Sequence, residues 1–296
     1  LTVAKATATI TLGGLSHTYD GTVKSATATT TPAGLTVTFN YVGARINAGS
    51  YDFSASITDA NYTGSTTGTL VIGKATGTVT LGSLSQPYNG SPRTASATTS
   101  PVGLSVTFTY DGSATAPTAV GSYAVVGTLN DTNYAGTASD TLVITKGTAT
   151  VTLGGLAPTY DGSPKATSAT TNPASLTVNF IYDGSATAPT AAGSYAVVGT
   201  VSDASYEGTT SGTLVIAKAT AVVTLSALTQ TYDGTARLAM AATTPAALAV
   251  NFTYNGSATA PTGAGSYAIV GTVSDANYVG TASGTQNPET AYLKDH

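Results

Sequence analysis

Along the third of four similar stretches of this chain, apolar and polar residues alternate with a period of two. Leu176, Val178, Phe180 and Tyr182 fall on one face and Thr177 and Asn179 on the other. Such alternation is the pattern of a half-buried strand, because successive side chains in extended backbone point to opposite faces. The same pattern predicts strands over 148–153 (TATVTL), 176–182 (LTVNFIY), 194–201 (SYAVVGTV) and 213–216 (TLVI), separated by Gly, Asn and Asp turn signals. No stretch carries an apolar stripe at helical spacing. Short strands with turns at this spacing predict a sandwich.

The pattern recurs. KATATITLGGLSHTYDG starts at Lys5, KATGTVTLGSLSQPYNG at Lys74, KGTATVTLGGLAPTYDG at Lys146 and KATAVVTLSALTQTYDG at Lys218. The first interval is three residues shorter because the loop after Tyr41 is shorter than the one after Tyr110, and a deletion that leaves the rest in register belongs in a loop. Sixteen of the 17 tyrosines fall into four registers. These are Tyr19, Tyr88, Tyr160 and Tyr232; Tyr41, Tyr110, Tyr182 and Tyr254; Tyr51, Tyr123, Tyr195 and Tyr267; and Tyr62, Tyr134, Tyr206 and Tyr278. Aromatic side chains dominate core burial, so each repeat is expected to carry its own core. The resulting fold class is all-β, with four tandem Ig-like β-sandwich repeats of about 70 residues in an extended string; β-grasp-like repeats are the alternative. No Pro/Gly-rich linker separates the repeats, which favours semi-rigid joints.

The domain reading is residues 5–73, 74–145, 146–217 and 218–285 for repeats one to four. Residues 1–4 read as the trailing strand of a preceding repeat, since Leu1-Thr2-Val3-Ala4 precedes Lys5 as Leu70-Val71-Ile72-Gly73 precedes Lys74. At the other end Gly284-Thr285 runs into Gln286-Asn287-Pro288 rather than Leu-Val-Ile. Pro is disfavoured inside a sheet, so repeat four is expected to lack its last strand, with residues 286–296 as an off-register tail. An open sheet edge invites strand addition. Leu1, Thr2, Val3 and Ala4 are therefore candidate residues for an intersubunit strand contact, while the ends as a whole read as those of a segment cut from a longer array.

Composition narrows function by exclusion. Only 8% of the 296 residues are charged, the net charge is −4, and Cys and Trp are absent. There is no basic face for a phosphate backbone, so nucleic acid is excluded as a partner. No apolar run reaches the roughly 18 residues a membrane-spanning helix needs. The absence of Cys excludes thiolate metal sites and disulfides. Of the two histidines, His17 shares its register with Gln86, Pro158 and Gln230, which fits a loop residue rather than a base. Asp20, Asp161 and Asp233 share theirs with Asn89. A carboxylate exchanged for an amide is a turn former, not an acid catalyst. The Asp-x-Asn/Ser-Tyr element (Asp59–Tyr62, Asp131–Tyr134, Asp203–Tyr206, Asp275–Tyr278) reads as a capped turn with a corner tyrosine. A calcium site is the sharper alternative, but one reliably placed carboxylate per repeat falls short of six to eight oxygen ligands. No catalytic, cofactor-binding or metal-binding residue is assigned, and no cofactor is expected.

The segments KATxTVTLxxLxxTYDG, DGSATAPTAxGSYAVVGTV and SDANYxGTxSGTLVIxKA resemble the MBG-type and bacterial Ig-like tandem repeats of large surface proteins, over residues 1–285. The resemblance implies a non-enzymatic, extracellular or cell-surface protein of bacterial type, either the stalk of an adhesin or a filament subunit. Partners are then neighbouring repeats or other copies of the same protein. The alternative is repeats that themselves bind a glycan or a host surface ligand, through the loops Asp111–Pro117, Asp183–Pro189 and Asn255–Pro261.

Overall fold

The computed structural model describes residues 2–231 and 233–289. The chain forms two compact units, residues 1–147 with repeats one and two and residues 148–296 with repeats three and four. Among the described residues there is no helix, which removes the β-grasp alternative because that fold wraps a sheet around a helix.

Repeat one shows the plan. Its strands are β1 (Ala6–Thr7), β2 (Thr9–Gly13), β3 (Ser16–Thr18), β4 (Thr27–Thr31), β5 (Val37–Tyr41), β6 (Gly49–Ile57), β7 (Tyr62–Thr63) and β8 (Ser65–Gly73). One sheet has the order β3-β8-β6-β5. Its pairs are antiparallel except β3, which runs parallel to β8 with Ser16 opposite Val71. A second sheet is the antiparallel pair β2-β4. A short parallel pair, β1-β7, closes one end, with Ala6 opposite Tyr62. The two sheets form an Ig-like sandwich with Phe53, Ala55 and Leu70 buried between them and Ile10, Leu12, Phe39 and Tyr41 packed around. The layers approach so closely that a Cβ on Gly68 would lie 2.7 Å from Leu12 and 2.9 Å from Phe53.

Each repeat has such a core: Tyr110, Val125, Leu142 and Ile144 in repeat two, Tyr182, Val197, Leu214 and Ile216 in repeat three, Tyr254 and Ile269 in repeat four. The second tyrosine register serves as a polar tie inside this core. The hydroxyls of Tyr41, Tyr110, Tyr182 and Tyr254 accept the backbone N–H of Ala26, Ala95, Thr167 and Ala239 at 2.8–3.0 Å. A buried phenol needs such a partner.

In repeat three the alternating segments form strands Thr150–Gly154, Val178–Tyr182, Gly193–Val201 and Thr209–Ile216. The last begins earlier than the apolar pattern does, because Thr209–Thr213 pairs with the preceding long strand although its exposed residues carry no signal. Ser168–Asn172 is also a strand, built entirely of Ser, Ala, Thr and Asn, and it exists by pairing with Thr150–Gly154.

Repeat four differs from expectation: it has its last strand. Thr281–Glu289 pairs antiparallel with Tyr267–Val273 and parallel with Thr229–Thr231. Residues 286–289 are therefore strand, and only residues 290–296 of the expected tail lie outside the described residues. The backbone ladder on both sides supplies the pairing, and the side chains only have to fit. They fit imperfectly. Gln286 takes the register of Leu70, Leu142 and Leu214, and is as fully buried as they are. Pro288 takes that of Ile72, Ile144 and Ile216, and has no N–H to give. Gly265 N–H still reaches the Pro288 carbonyl at 3.3 Å, but the return bond is impossible. The neighbouring strand accordingly starts at Tyr267, two residues later than Gly49, Gly121 and Gly193 in the other repeats. The edge that a strand from Leu1–Ala4 was expected to fill thus carries Gln286–Glu289. Leu1 lies outside the described residues. Thr2, Val3 and Ala4 are exposed and in no strand.

Candidate functional site: the joints between repeats

The Asp-x-Asn-Tyr element begins as the capped turn its sequence predicts. Asp131 Oδ1 accepts the N–H groups of Asn133 (2.7 Å) and Tyr134 (2.9 Å). Asp59 does the same for Asn61 and Tyr62, and Asp275 for Asn277 and Tyr278. The lysine that opens each of these repeats locks the turn from below. Lys5, Lys74 and Lys218 donate from Nζ to the carbonyls of Asp59, Asp131 and Asp275 at 2.6–2.7 Å. A glycine two residues after the tyrosine lets the turn press on the first strand. A Cβ on Gly64, Gly136, Gly208 or Gly280 would lie only 2.0–2.3 Å from the backbone oxygen of Ala8, Gly77, Ala149 or Ala221.

The remaining parts of the element face the preceding repeat. Asn133 Oδ1 accepts the N–H of Ala48 in repeat one at 2.9 Å, and its Nδ2 donates to Asn47 Oδ1 at 3.1 Å. Tyr134 meets Tyr19 edge-on, with centroids 5.5 Å apart and planes at 80°. The second unit repeats the arrangement. Asn277 Oδ1 accepts the N–H of Ala192 at 2.8 Å, and Tyr278 meets Tyr160 at 5.4 Å and 82°. The third tyrosine register holds the loop that is clasped: Tyr51 and Tyr195 donate their hydroxyls to the carbonyls of Asn47 and Ala191, one residue before the clasped alanine. Each joint thus gains about 1 kcal/mol from the hydrogen bond and a similar amount from the edge-to-face ring pair.

Of the four tyrosine registers, the second ties the core, the third pins a loop, and Tyr19 and Tyr160 of the first meet Tyr134 and Tyr278 of the fourth at the two joints. Tyr232, of the first register, lies outside the described residues. The sequence marked the asparagine only as a turn residue, since its partner is 85 residues away. The available signal was Asn beside a fixed-register Tyr in three of four repeats.

The loops expected as glycan contacts are occupied with their own structure. Asp111 (φ 48) and Gly112 (φ 83) both have positive φ, as do Asp183 with Gly184 and Asn255 with Gly256; this is the tight hairpin turn that Asp-Gly and Asn-Gly favour. Asp111 Oδ1 accepts Ala124 N–H, Ser113 Oγ accepts Thr115 N–H, and Ser113 pairs back onto Tyr110. Among the described residues no three His, Cys, Asp or Glu side chains are grouped to hold a metal, and no helix is long and apolar enough to cross a membrane.

The other charged cluster is local. Asp20, Asp161 and Asp233 each pair with a cation four residues on, Lys24, Lys165 and Arg237. The Lys24 ammonium, then the Thr22 hydroxyl and N–H, hold the Asp20 carboxyl well below the usual range. Lys165 and the Ser163 N–H lower Asp161. The Thr235 hydroxyl and N–H, with a smaller contribution from Arg237, lower Asp233 to about 2. A carboxyl with a lowered folded-state pKa stabilises above its unfolded value, about 4, and loses that contribution as pH falls through the folded value. The midpoint of thermal unfolding is therefore expected to drop between about pH 5 and pH 2.5. A variant with Asp20→Asn, Asp161→Asn and Asp233→Asn should drop less, and an equal drop would show that these pairs do not matter. All three are exposed, so salt should weaken the effect.

A family model described as "MBG domain" matches residues 8–76, 77–148, 149–220 and 221–290. The chain belongs to the MBG domain family. The four matches fall one on each of the four sandwiches, a few residues out of phase with the strands, so each MBG domain here is one such sandwich. No curated protein matches the chain. Among solved structures it is similar to the ICAM-5 D1-D4 ectodomain fragment, 12% identical over 96% of this chain and 99% of that one, with a TM-score of 0.33. It is also similar to Sidekick-1 immunoglobulin domains 1-5, 11% identical over 95% and 81%, with a TM-score of 0.27.

Proposed function

We propose that this MBG array is a structural, non-catalytic spacer of an extracellular, bacterial-type surface protein, acting as an adhesin stalk or as a filament subunit. The observation that carries this reading is the joint: the same Asn, Tyr and clasped alanine connect repeat one to two and three to four. Asp131 and Asp275 cap turns, Asn133 and Asn277 clasp joints, and the second tyrosine register ties the cores, so these polar groups serve the array itself. The loops of Asp111, Asp183 and Asn255 bind themselves, which favours the spacer over the glycan-binding alternative.

The test is whether a joint holds two repeats as one body. In the whole chain, residual dipolar couplings from repeats one and two should fit a single alignment tensor. Asn133→Ala should leave both cores folded and separate the tensors, since about 1 kcal/mol of clasp is lost. Independent tensors in the unmodified chain would remove the basis of the spacer reading. Specific binding of the whole chain to a glycan array would instead favour the loops.

A further inference from the structure

Three repeats carry an ion pair in the turn after the first-register tyrosine, and repeat two carries only its cation. Asp20, Asp161 and Asp233 pair with Lys24, Lys165 and Arg237 four residues on. In repeat two the cation is Arg93, but position 89 is asparagine. The turn is otherwise built alike. Asn89 Oδ1 accepts the Ser91 N–H at 3.0 Å, as Asp20 accepts that of Thr22, Asp161 that of Ser163 and Asp233 that of Thr235. The half-buried Arg93 guanidinium donates instead to the Pro87 carbonyl.

Asn89 is followed by Gly90, which has φ 82 and nothing within 4 Å of the place a Cβ would take. Both residues are exposed. The glycine nitrogen has no side chain beside it to hinder its approach to the asparagine side-chain carbon. Ser91 N–H already holds Oδ1, the oxygen on which negative charge develops in that approach. The chain has a second Asn-Gly pair, Asn255-Gly256, equally open at its glycine. There the asparagine is tied across the strand pair twice: Oδ1 accepts Ala268 N–H and Asn255 N–H donates to the Ala268 carbonyl, each at 2.8 Å. The Asn89 side chain is bonded within its own turn, so no tie to a neighbouring strand has to break.

We propose that Asn89-Gly90 is a self-modifying site, where deamidation supplies the carboxylate that Arg93 lacks. The Gly90 nitrogen gives its proton to solvent base and attacks Asn89 Cγ. The new Cγ–N bond closes a succinimide ring, and the side-chain nitrogen leaves as ammonia. Water then opens the ring at Cγ, which restores the Gly90 peptide and leaves an aspartate side chain at position 89. Nothing is oxidised or reduced. The carboxylate then stands four residues before Arg93, as Asp233 stands before Arg237. No part of this chemistry depends on how the repeats are joined, so it is independent of the spacer reading.

Peptide mapping by mass spectrometry, on the whole chain held at mildly alkaline pH, reads the step directly. The peptide with Asn89 should become about 1 Da heavier as amide is replaced by carboxylate. It should do so about tenfold faster than the peptide with Asn255, where two hydrogen bonds to Ala268 have to break first. Asn89→Gln, whose side-chain carbon lies one bond further out, should hold its mass over the same period. Asn89→Asp should raise the unfolding midpoint of repeat two by about 2 °C, and Arg93→Gln should remove that gain. Equal rates at the two asparagines overturn the inference. So does a product that is chiefly isoaspartate, formed when water opens the ring at the backbone carbonyl, or a midpoint that Asn89→Asp leaves where it was.

Discussion

Replacing Gln286 by leucine is expected to stabilise repeat four by about 2–3 kcal/mol, raising the midpoint of its unfolding by on the order of 10 °C. Gln286 is completely buried in a position where the other three repeats have leucine. Its Nε2 lies 3.4 Å from the carbonyls of Ala227 and Arg237, and its Oε1 has no partner. An amide taken out of water without full hydrogen bonding costs about 1–3 kcal/mol, and leucine would add apolar burial in its place. Differential scanning calorimetry of the whole chain should show one transition moving up and the others staying. Because Pro288 also denies this strand a ladder bond, repeat four is expected to be the first to unfold in the unmodified chain. If Gln286→Leu leaves every transition where it was, the side chain is solvated and this account of repeat four fails.

The largest loss is expected at Gly136. A Cβ there would sit 2.0 Å from the Gly77 oxygen, a backbone atom with no room to retreat. The same stretch carries Gly77 N–H to the Ala135 carbonyl and Leu129 N–H to the Gly136 carbonyl, both at 2.9 Å. Alanine would push the turn off the first strand of repeat two and strain both bonds, costing about 3 kcal/mol, at the upper end of overpacking effects. It would also displace Asn133 and Tyr134, so repeat two should lose stability and its joint to repeat one together. Urea denaturation followed by NMR, repeat by repeat, separates the two consequences. Thr137→Ala, at an exposed neighbouring position, should cost less than about 0.5 kcal/mol. A comparably small cost for Gly136→Ala would mean that the close approach is not a constraint.

The strands with clear alternation, such as Val178–Tyr182 and Gly193–Val201, were legible because their burial is one-sided and local in sequence. The period of the repeats and the registers of the tyrosines were legible for a related reason: four copies of one solution repeat its core residues. Ser168–Asn172 was not legible, because nothing in Ser-Ala-Thr-Thr-Asn distinguishes a strand from a loop until Thr150–Gly154 offers its backbone. Gln286–Glu289 misled in the opposite direction. Its composition argues against a strand, yet a ladder waits on each side, and backbone pairing tolerates one buried amide and one missing N–H at a cost in stability. The joint lay further out of reach, since the asparagine and the alanine N–H it clasps come together only when two sandwiches are stacked. By itself, then, the sequence determined the all-β class, the fourfold repeat and the apolar residues that face each core, all set by local alternation of apolar side chains. Tertiary structure alone decided which polar strands pair, how the last strand of repeat four is completed and which side chains clasp one repeat to the next, because backbone hydrogen bonds and contacts between repeats leave no periodic mark on the chain.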